Sequence, residues 1–383
     1  MRKPKKILMV SMPTLHFFRW VDQLKEENYE VYWFDITDGA TKIPRINWVD
    51  QITDWKLRWN YPGRIFLKKQ LPNIYRSIGR INEKSTVAVF EEKLKEIQPD
   101  IVHSFALYVS CTPIIGVMEK YKDIKWIYSS WGSDLFYFQN QPEYLKDIKR
   151  VLPRVDYLFT DCHRDYNIAK KHGFDGEFLG AFPGGGGFDF TLMDSLKKDI
   201  SKRKDILIKG YQGRSGRAIE VLKSLLACKR LFSDYNIVIF GAGKEVLDYI
   251  HNSEFKSWTN LQVNERIKHD KVLELMGTSV VYVGNSDSDG TPNTLLEAMC
   301  MDVIPVQSNP GGATQELIED GKNGFLIQDC EDILHIQSVL TKVISTISDS
   351  YVAIVNENRA LCKRFEYNMV KSEVLKKYQQ VLS

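Results

Sequence analysis

The segment Val280-Val-Tyr-Val-Gly-Asn-Ser-Asp-Ser-Asp289, Gly290-Thr-Pro-Asn-Thr-Leu-Leu-Glu-Ala-Met-Cys300, Met301-Asp-Val-Ile-Pro-Val306 decides the fold. An apolar run ends in a polar, glycine-containing loop, a helical pattern opens near Thr294, and a second apolar run begins at Val303. Strand, helix, strand in this order is the unit of a parallel sheet, and Leu295, Leu296 and Met299 supply the helix face that packs on it. The first N–H groups of such a helix have no partner within it, so with the positive dipole end they form an anion site. Gly290 and Pro292 shape the loop for close backbone approach to a phosphate. Asp289 and Glu297, eight residues apart, frame it: one carboxylate can hold sugar hydroxyls while the other reaches a ribose diol, a charge-assisted and geometrically selective contact.

Outward from this segment the same alternation runs almost end to end. Lys6–Ser11, Tyr29–Phe34, Ile101–Phe105, Trp126–Ser130 and Tyr157–Thr160 read as strands, with helical patterns such as Glu91–Ile97 and Ile115–Tyr121 between them. The alternation pauses at the Pro/Gly run Gly180–Asp189. It restarts with Ile206–Lys209, a helix from about Gly216 to Phe232, Ile237–Phe240, a turn at Gly241-Ala-Gly243, and the strands Val280–Val283 and Val303–Val306. The expected organisation is two α/β domains, 1–190 and 191–365, with a C-terminal helix over about 366–383 packing back on the first. Ligands of such sheets bind beyond the carboxyl ends of the strands.

Composition restricts the class. At 383 residues, with 43% hydrophobic and 26% charged residues, two ordinary globular domains are expected, and a net charge of +3 is too small to imply nucleic acid. Six scattered cysteines (Cys111, Cys162, Cys228, Cys300, Cys330, Cys362) with no C-x-x-C pair read as free thiols of a reducing compartment, so a cytoplasmic location is expected. The N-terminus is basic from Arg2 to Lys6, but the apolar run Ile7–Val10 is too short for a signal peptide. Ile101–Met118 carries no Asp, Glu, Lys or Arg, yet holds His103, Ser104, Ser110, Cys111, Thr112 and Pro113, so it reads as strand, turn and buried helix rather than a membrane span.

The 280–306 segment resembles the E-x7-E signature of the retaining glycosyltransferases of family four, with Asp289 in place of the first Glu and Glu297 as the second. Gly311-Gly-Ala-Thr-Gln-Glu316 and Asp320-Gly-Lys-Asn-Gly-Phe-Leu-Ile327 are similar to the same family, so the likeness is strong over about 204–327 and general over the first half. The resemblance implies the GT-B fold, two facing Rossmann-like domains with a deep interdomain cleft. It implies that Glu297, at a partly exposed helix position, holds ribose hydroxyls and Asp289 the donor sugar, with Gly290, Thr291, Pro292, Asn293 and Thr294 along the sugar and diphosphate. For the leaving diphosphate, Lys209-Gly-Tyr-Gln-Gly-Arg-Ser-Gly-Arg217 departs from the family spacing; Lys209 and Arg217 are the first choices and Arg214 the next. Gly241 and Gly243 stand where the family carries a phosphate- or base-facing loop.

In the first half, Trp131-Gly-Ser-Asp134 resembles the family's H-G-x-D segment, with Trp131 replacing a sugar-contacting His and Gly132 kept for backbone approach. His103 reads equally as a cleft residue on the acceptor side or a satisfied core histidine, and His16 as a weaker acceptor-side residue in the loop after the first strand. Residues 45–84 hold nine Lys/Arg against three Asp/Glu, with Trp48, Trp55, Trp59, Tyr61, Phe66 and Tyr75 interleaved. This suits either a peripheral contact with an anionic membrane, at its inner face, or a solvated helical face with aromatics turned into the core. No nucleic-acid motif accompanies it. The expected reaction is transfer of a sugar from a nucleotide-diphosphate sugar to an acceptor hydroxyl with retention, without metal or other cofactor, in polysaccharide or glycolipid synthesis. Its acceptor is a sugar, a glycan or a lipid-linked molecule. The alternatives are a nucleotide-sugar isomerase or hydrolase, and a non-catalytic binding partner of another transferase. Asp287-Ser-Asp289 also spells the D-x-D pattern of a metal-chelating fold, so Asp287 is expected to be a loop residue.

Overall fold

The computed structural model describes residues 3–39 and 41–383; Met1 and Arg2 of the basic N-terminus, and Ala40, lie outside the described residues. The chain forms two compact units. The first holds residues 1–160, 166–185 and 373–383, and the second 161–165 and 186–372.

In the first unit seven strands form one wholly parallel sheet: β1 (Lys5–Ser11), β2 (Tyr29–Asp35), β3 (Asp50–Ile52), β4 (Ile101–Phe105), β5 (Lys125–Ser129), β6 (Tyr157–Thr160) and β7 (Glu177–Ala181). Their order is β3-β2-β1-β4-β5-β6-β7, so the chain winds one way from β1 and then the other from β4. Ile7, Leu8, Met9 and Val10 are completely buried because helices cover both faces of a doubly wound sheet. Thr14 caps the helix Leu15–Asp22 by accepting from the Phe17 N–H, and Ser85 caps Thr86–Ile97 by accepting from Ala88. Between Ile101 and Met118 the chain is strand, tight turn and short helix, with Cys111, Ile114, Val117 and Met118 in the core.

The second unit repeats the plan. Its strands are β8 (Asp205–Lys209), β9 (Gln212–Gly213), β10 (Gly216–Arg217), β11 (Asn236–Phe240), β12 (Leu261–Asn264), β13 (Ser279–Gly284), β14 (Ile304–Ser308) and β15 (Phe325–Ile327). The main sheet runs β12-β11-β8-β13-β14-β15, and β9 and β10 form a separate two-residue antiparallel ladder. The helix expected from Gly216 is therefore shorter, Ala218–Ala227, because Gly216 and Arg217 belong to that ladder. Among the described residues one helix, 333–365, is long and apolar enough to cross a membrane by length and composition. It contributes Ile336, Leu340, Val343 and Ile354 to this unit's core, and Asp332 caps it through the N–H groups of Leu334 and His335.

Candidate functional site

In a doubly wound sheet the winding reverses at one pair of strands, and the loops beyond their carboxyl ends splay apart to leave a crevice. In the second unit those strands are β8 and β13. Lys209 closes β8, and the loop carrying Asp289 follows β13. The Lys209 ammonium lies 3.6 Å from an Asp289 carboxylate oxygen and 5.1 Å over the Tyr211 ring. That ring rests against Gly241, which follows β11 in a left-handed conformation (φ 73°); a Cβ there would sit 2.3 Å from Tyr211 Cε1. Gly243 precedes the helix Lys244–His251 with open space where a side chain would stand.

The helix after Asp289 spans Asn293–Cys300 behind Pro292. Thr294 Oγ1 is 2.9 Å from the Tyr282 hydroxyl, and burial, reinforced by the charges of Asp289 and Glu297, keeps that phenol protonated well above its usual range. Glu297, one turn inside the helix, is 1% exposed, not partly exposed as its sequence position suggested. Its Oε1 lies 2.7 Å from His269 Nε2. A buried carboxylate requires such partners, so His269 sets the orientation of Glu297. No local signal in the sequence marked His269, which lies 28 residues away.

Asp161–Asp165 cluster with this unit. The N–H groups of His163 and Arg164 each donate to Glu316 at 2.7 Å. The buried Arg164 guanidinium donates to the carbonyls of Asp289 (2.8 Å) and Pro310 (2.6 Å) and is paired with Asp165. Arg164 thus fixes the backbone of the Asp289 loop. Gly290 is required beside it, because a Cβ there would fall 2.2 Å from the Asp161 carboxylate. Among the described residues, Asp161, Cys162 and Asp165 form a group whose ligand atoms lie within 4.8 Å of one another, but Asp165 Oδ1 is already held by Arg164.

Arg217 ends β10. It pairs with Asp287 at 3.4 Å and Glu331 at 3.3 Å, held by the β9–β10 ladder. The structure therefore brings Lys209, not Arg217, to Asp289. Arg214 meets the loop through its carbonyl, which accepts from the Ser288 N–H at 3.2 Å. Asp287 and Asp289 each face a separate cation.

In the first unit the winding reverses between β1 and β4. Ala106, at φ 64°, turns the chain after β4 so that the Leu107 N–H reaches Asp134 Oδ2 at 2.8 Å. Asp134 also accepts from the Tyr128 hydroxyl (2.5 Å) and the Trp131 N–H (2.8 Å). Burial raises its pKa, and these three donors oppose that rise. Gly132, at φ 70°, completes the turn. The Trp131 ring centroid lies 5.9 Å from that of Phe105 and 6.1 Å from that of His16. His16 is exposed in the first turn of a helix rather than in a loop. His103 is completely buried: its Nδ1 lies 2.6 Å from the Tyr378 hydroxyl and its Nε2 2.8 Å from Ser129 Oγ. Of its two readings the structure gives the satisfied core histidine. The Trp20 indole N–H donates to Tyr378 Oη at 3.1 Å, which leaves the hydroxyl proton and its second lone pair for His103 Nδ1. A cavity of about 470 Å³, lined among others by Lys42, Gln51, Lys93 and Glu96, lies at the β3 edge of this sheet, apart from the loops just described.

Residues 196–359 match the family model of group 1 glycosyl transferases, and residues 86–161 match the model described as glycosyl transferase 4-like. No curated protein matches the chain in sequence. Among solved structures it is similar to sucrose-phosphate synthase from Thermosynechococcus elongatus, with 14% identity, 98% of this chain and 99% of that one covered, and a TM-score of 0.70. It is similar to Anabaena HepE in complex with UDP, with 13% identity, 98% and 100% covered, and a TM-score of 0.68. The pneumococcal O-GlcNAc transferase GtfA, solved with UDP and GlcNAc, shares 16% identity and a TM-score of 0.61; the match covers 78% of this chain and 60% of GtfA. At these identities the likeness establishes the fold.

Proposed function

From a chain with the GT-B fold and a group 1 glycosyltransferase domain over residues 196–359, we propose a retaining transfer of a sugar from a nucleotide-diphosphate sugar to an acceptor hydroxyl. The observation that carries it is the meeting of Lys209 with Asp289 at the β8/β13 crevice, with Glu297 oriented by His269 on the adjoining helix. Negative charge developing on the departing diphosphate is the main demand of the reaction, and preorganised donors meet it without rearranging. Lys209 and the N–H groups opening the helix Asn293–Cys300 are those donors, Asp289 takes donor-sugar hydroxyls, and Glu297 the ribose diol. When the donor enters, Lys209 exchanges Asp289 for a diphosphate oxygen, which frees Asp289 for the sugar. Arg217 acts through Asp287, as a positioning residue for the loop.

The first unit takes the acceptor, a sugar, glycan or lipid-linked molecule, with Trp131 offering a stacking face in place of an imidazole. The proposed setting is the cytoplasm and the synthesis of polysaccharide or glycolipid, with no metal. Replacement of a Glu by Asp289 and of a His by Trp131 favours, as a second reading, a non-catalytic nucleotide-sugar binder. Thermal unfolding against a panel of nucleotide sugars tests the first reading, since a ligand of the folded state raises the midpoint. One donor is expected to raise it, Glu297→Gln to abolish the rise, and acceptor-dependent release of nucleoside diphosphate to follow. A rise without release supports the binding partner, and release without any acceptor supports an isomerase or hydrolase. No rise with any donor overturns the site.

A further inference from the structure

We propose that residues 58–82 are a surface that docks on an anionic lipid bilayer. Between β3 and the helix Thr86–Ile97 the chain leaves the first sheet on a closed excursion. Its ends are tied together: the Arg58 N–H donates to the Asn82 carbonyl at 2.8 Å, the Lys84 N–H to the Lys56 carbonyl at 2.7 Å, and Leu57 bridges Glu83. Buried Asn82 accepts from the Trp59 N–H and donates to the Trp59 carbonyl, both at 2.9 Å. This clamp holds the exposed Trp59 indole beside the helix Pro72–Asn82.

The excursion turns apolar side chains outward. Trp55, at its root, is buried, stacked on Phe34, and donates to the Asp35 carbonyl. Beyond it Phe66 is 62% and Ile81 71% exposed, and Trp59, Leu71 and Ile74 are exposed with them. Ile74, Ile78 and Ile81, at helical spacings of four and three, share one side of their helix. The core reading of these aromatics therefore holds for Trp55 and fails for Trp59 and Phe66.

Charge chooses the occupant. From Trp55 to Asn82 there are seven Lys/Arg and no Asp or Glu, while the other residues carry 45 Lys/Arg against 49 Asp/Glu. The basicity of the chain is thus concentrated in this excursion. Among the described residues none of Arg58, Lys68, Lys69, Arg76 and Arg80 is held in an ion pair. A soluble polyanion would use the cations but gain nothing from bare Phe and Ile. An apolar protein groove would use the Phe and Ile but be opposed by the cations. An anionic bilayer uses both: apolar side chains enter the acyl boundary, Trp59 sits at the headgroups, and long basic side chains reach the phosphates.

The test is co-sedimentation of the full chain with phosphatidylcholine vesicles, with and without phosphatidylglycerol, at low and high salt. Binding is expected with the anionic vesicles only and to fall about tenfold or more at high salt. The pair Lys68→Glu with Lys69→Glu, and separately the pair Phe66→Ser with Ile81→Ser, are each expected to weaken it by about tenfold, with the thermal midpoint retained because all four side chains are exposed or solvent-flanked. Brominated anionic lipid is expected to quench fluorescence of the wild type and not of Trp59→Phe. Equal binding to neutral and anionic vesicles, or binding to neither, overturns the proposal. Binding unchanged by the Phe66/Ile81 pair, with no quenching, identifies a soluble polyanion instead. Self-association by sedimentation velocity that those same substitutions abolish identifies a second copy of the chain. Should a variant lose its fold, the wild-type vesicle comparison and the quenching decide alone.

Discussion

His103 shows how a side chain's role is settled by neighbours far away in the chain. Its partners Ser129 and Tyr378 lie 26 and 275 residues off, so a core histidine and a cleft histidine look alike in sequence. Burial holds its pKa well below the ordinary value, and both ring nitrogens are used in the neutral form. A depressed folded pKa means that the unfolded chain takes up the proton first. The neutral contribution is then complete above about pH 6.5 and declines as pH falls below it, by about 1.4 kcal/mol per pH unit until the folded imidazole itself protonates. Glutamine can imitate both hydrogen bonds without titrating. The unfolding free energy of wild type minus that of His103→Gln, from denaturant melts, is therefore expected to fall as pH is lowered from neutral to about pH 5. Taking the difference cancels other groups, including Asp134, whose raised pKa acts in the opposite sense. A difference that does not change with pH would show that the imidazole is not held neutral. Asp289 and Glu297 could be singled out as candidates because they lie on one loop and helix. His269 and Arg164 were not, because each is defined by what it reaches across the fold.

At the scale of elements, central strands were legible almost to the residue. Ile101–Phe105 and Tyr157–Thr160 are β4 and β6 as read, because a strand covered on both faces must be apolar throughout. Within the two main sheets the strands passed over, β3, β7, β12 and β15, are the edge strands. Each has a single neighbour, and β3 and β15 have only three residues each, too few for a pattern. The Asp289 loop shows the same limit in its packing. Its glycine was read as room for a ligand, yet the atoms nearest a Cβ at Gly290 belong to Asp161, far upstream in the chain. Gly290→Ala must therefore displace the Asp161 carboxylate or the loop. Calorimetric affinity for the preferred nucleotide sugar is expected to fall about tenfold or more, because the Arg164 contact to the Asp289 carbonyl moves with the loop. The thermal midpoint is expected to change by only a few degrees, since the substitution lies on a polar loop beyond the strand ends. Unchanged affinity would show that the loop is not part of the donor site.

For the whole molecule, the question the proposed transfer raises is what neutralises the diphosphate that leaves with the nucleotide. A fold that relies on paired carboxylates brings in a divalent ion for this purpose. Here the two aspartates of Asp287-Ser-Asp289 pair separately, one with Arg217 and the other with Lys209, so each carboxylate already answers a fixed cation. With Lys209 and the opening N–H groups of the helix Asn293–Cys300 beside the crevice, a bound metal would duplicate charge that the chain itself provides. Transfer is therefore expected to persist in excess EDTA. The two aspartates should separate cleanly. Asp289→Asn removes the group assigned to the sugar hydroxyls and should lower kcat/KM by about a hundredfold or more, while Asp287→Asn, which loosens only the Arg217 contact, should cost about tenfold at most. Anomeric proton couplings of the first-formed product would distinguish retention from inversion at the same time. Activity abolished by EDTA and restored by Mn²⁺, with Asp287→Asn and Asp289→Asn equally inactive, would show that the two carboxylates act together on a metal. The role of Lys209 and the assignment of Asp289 would then both have to be given up.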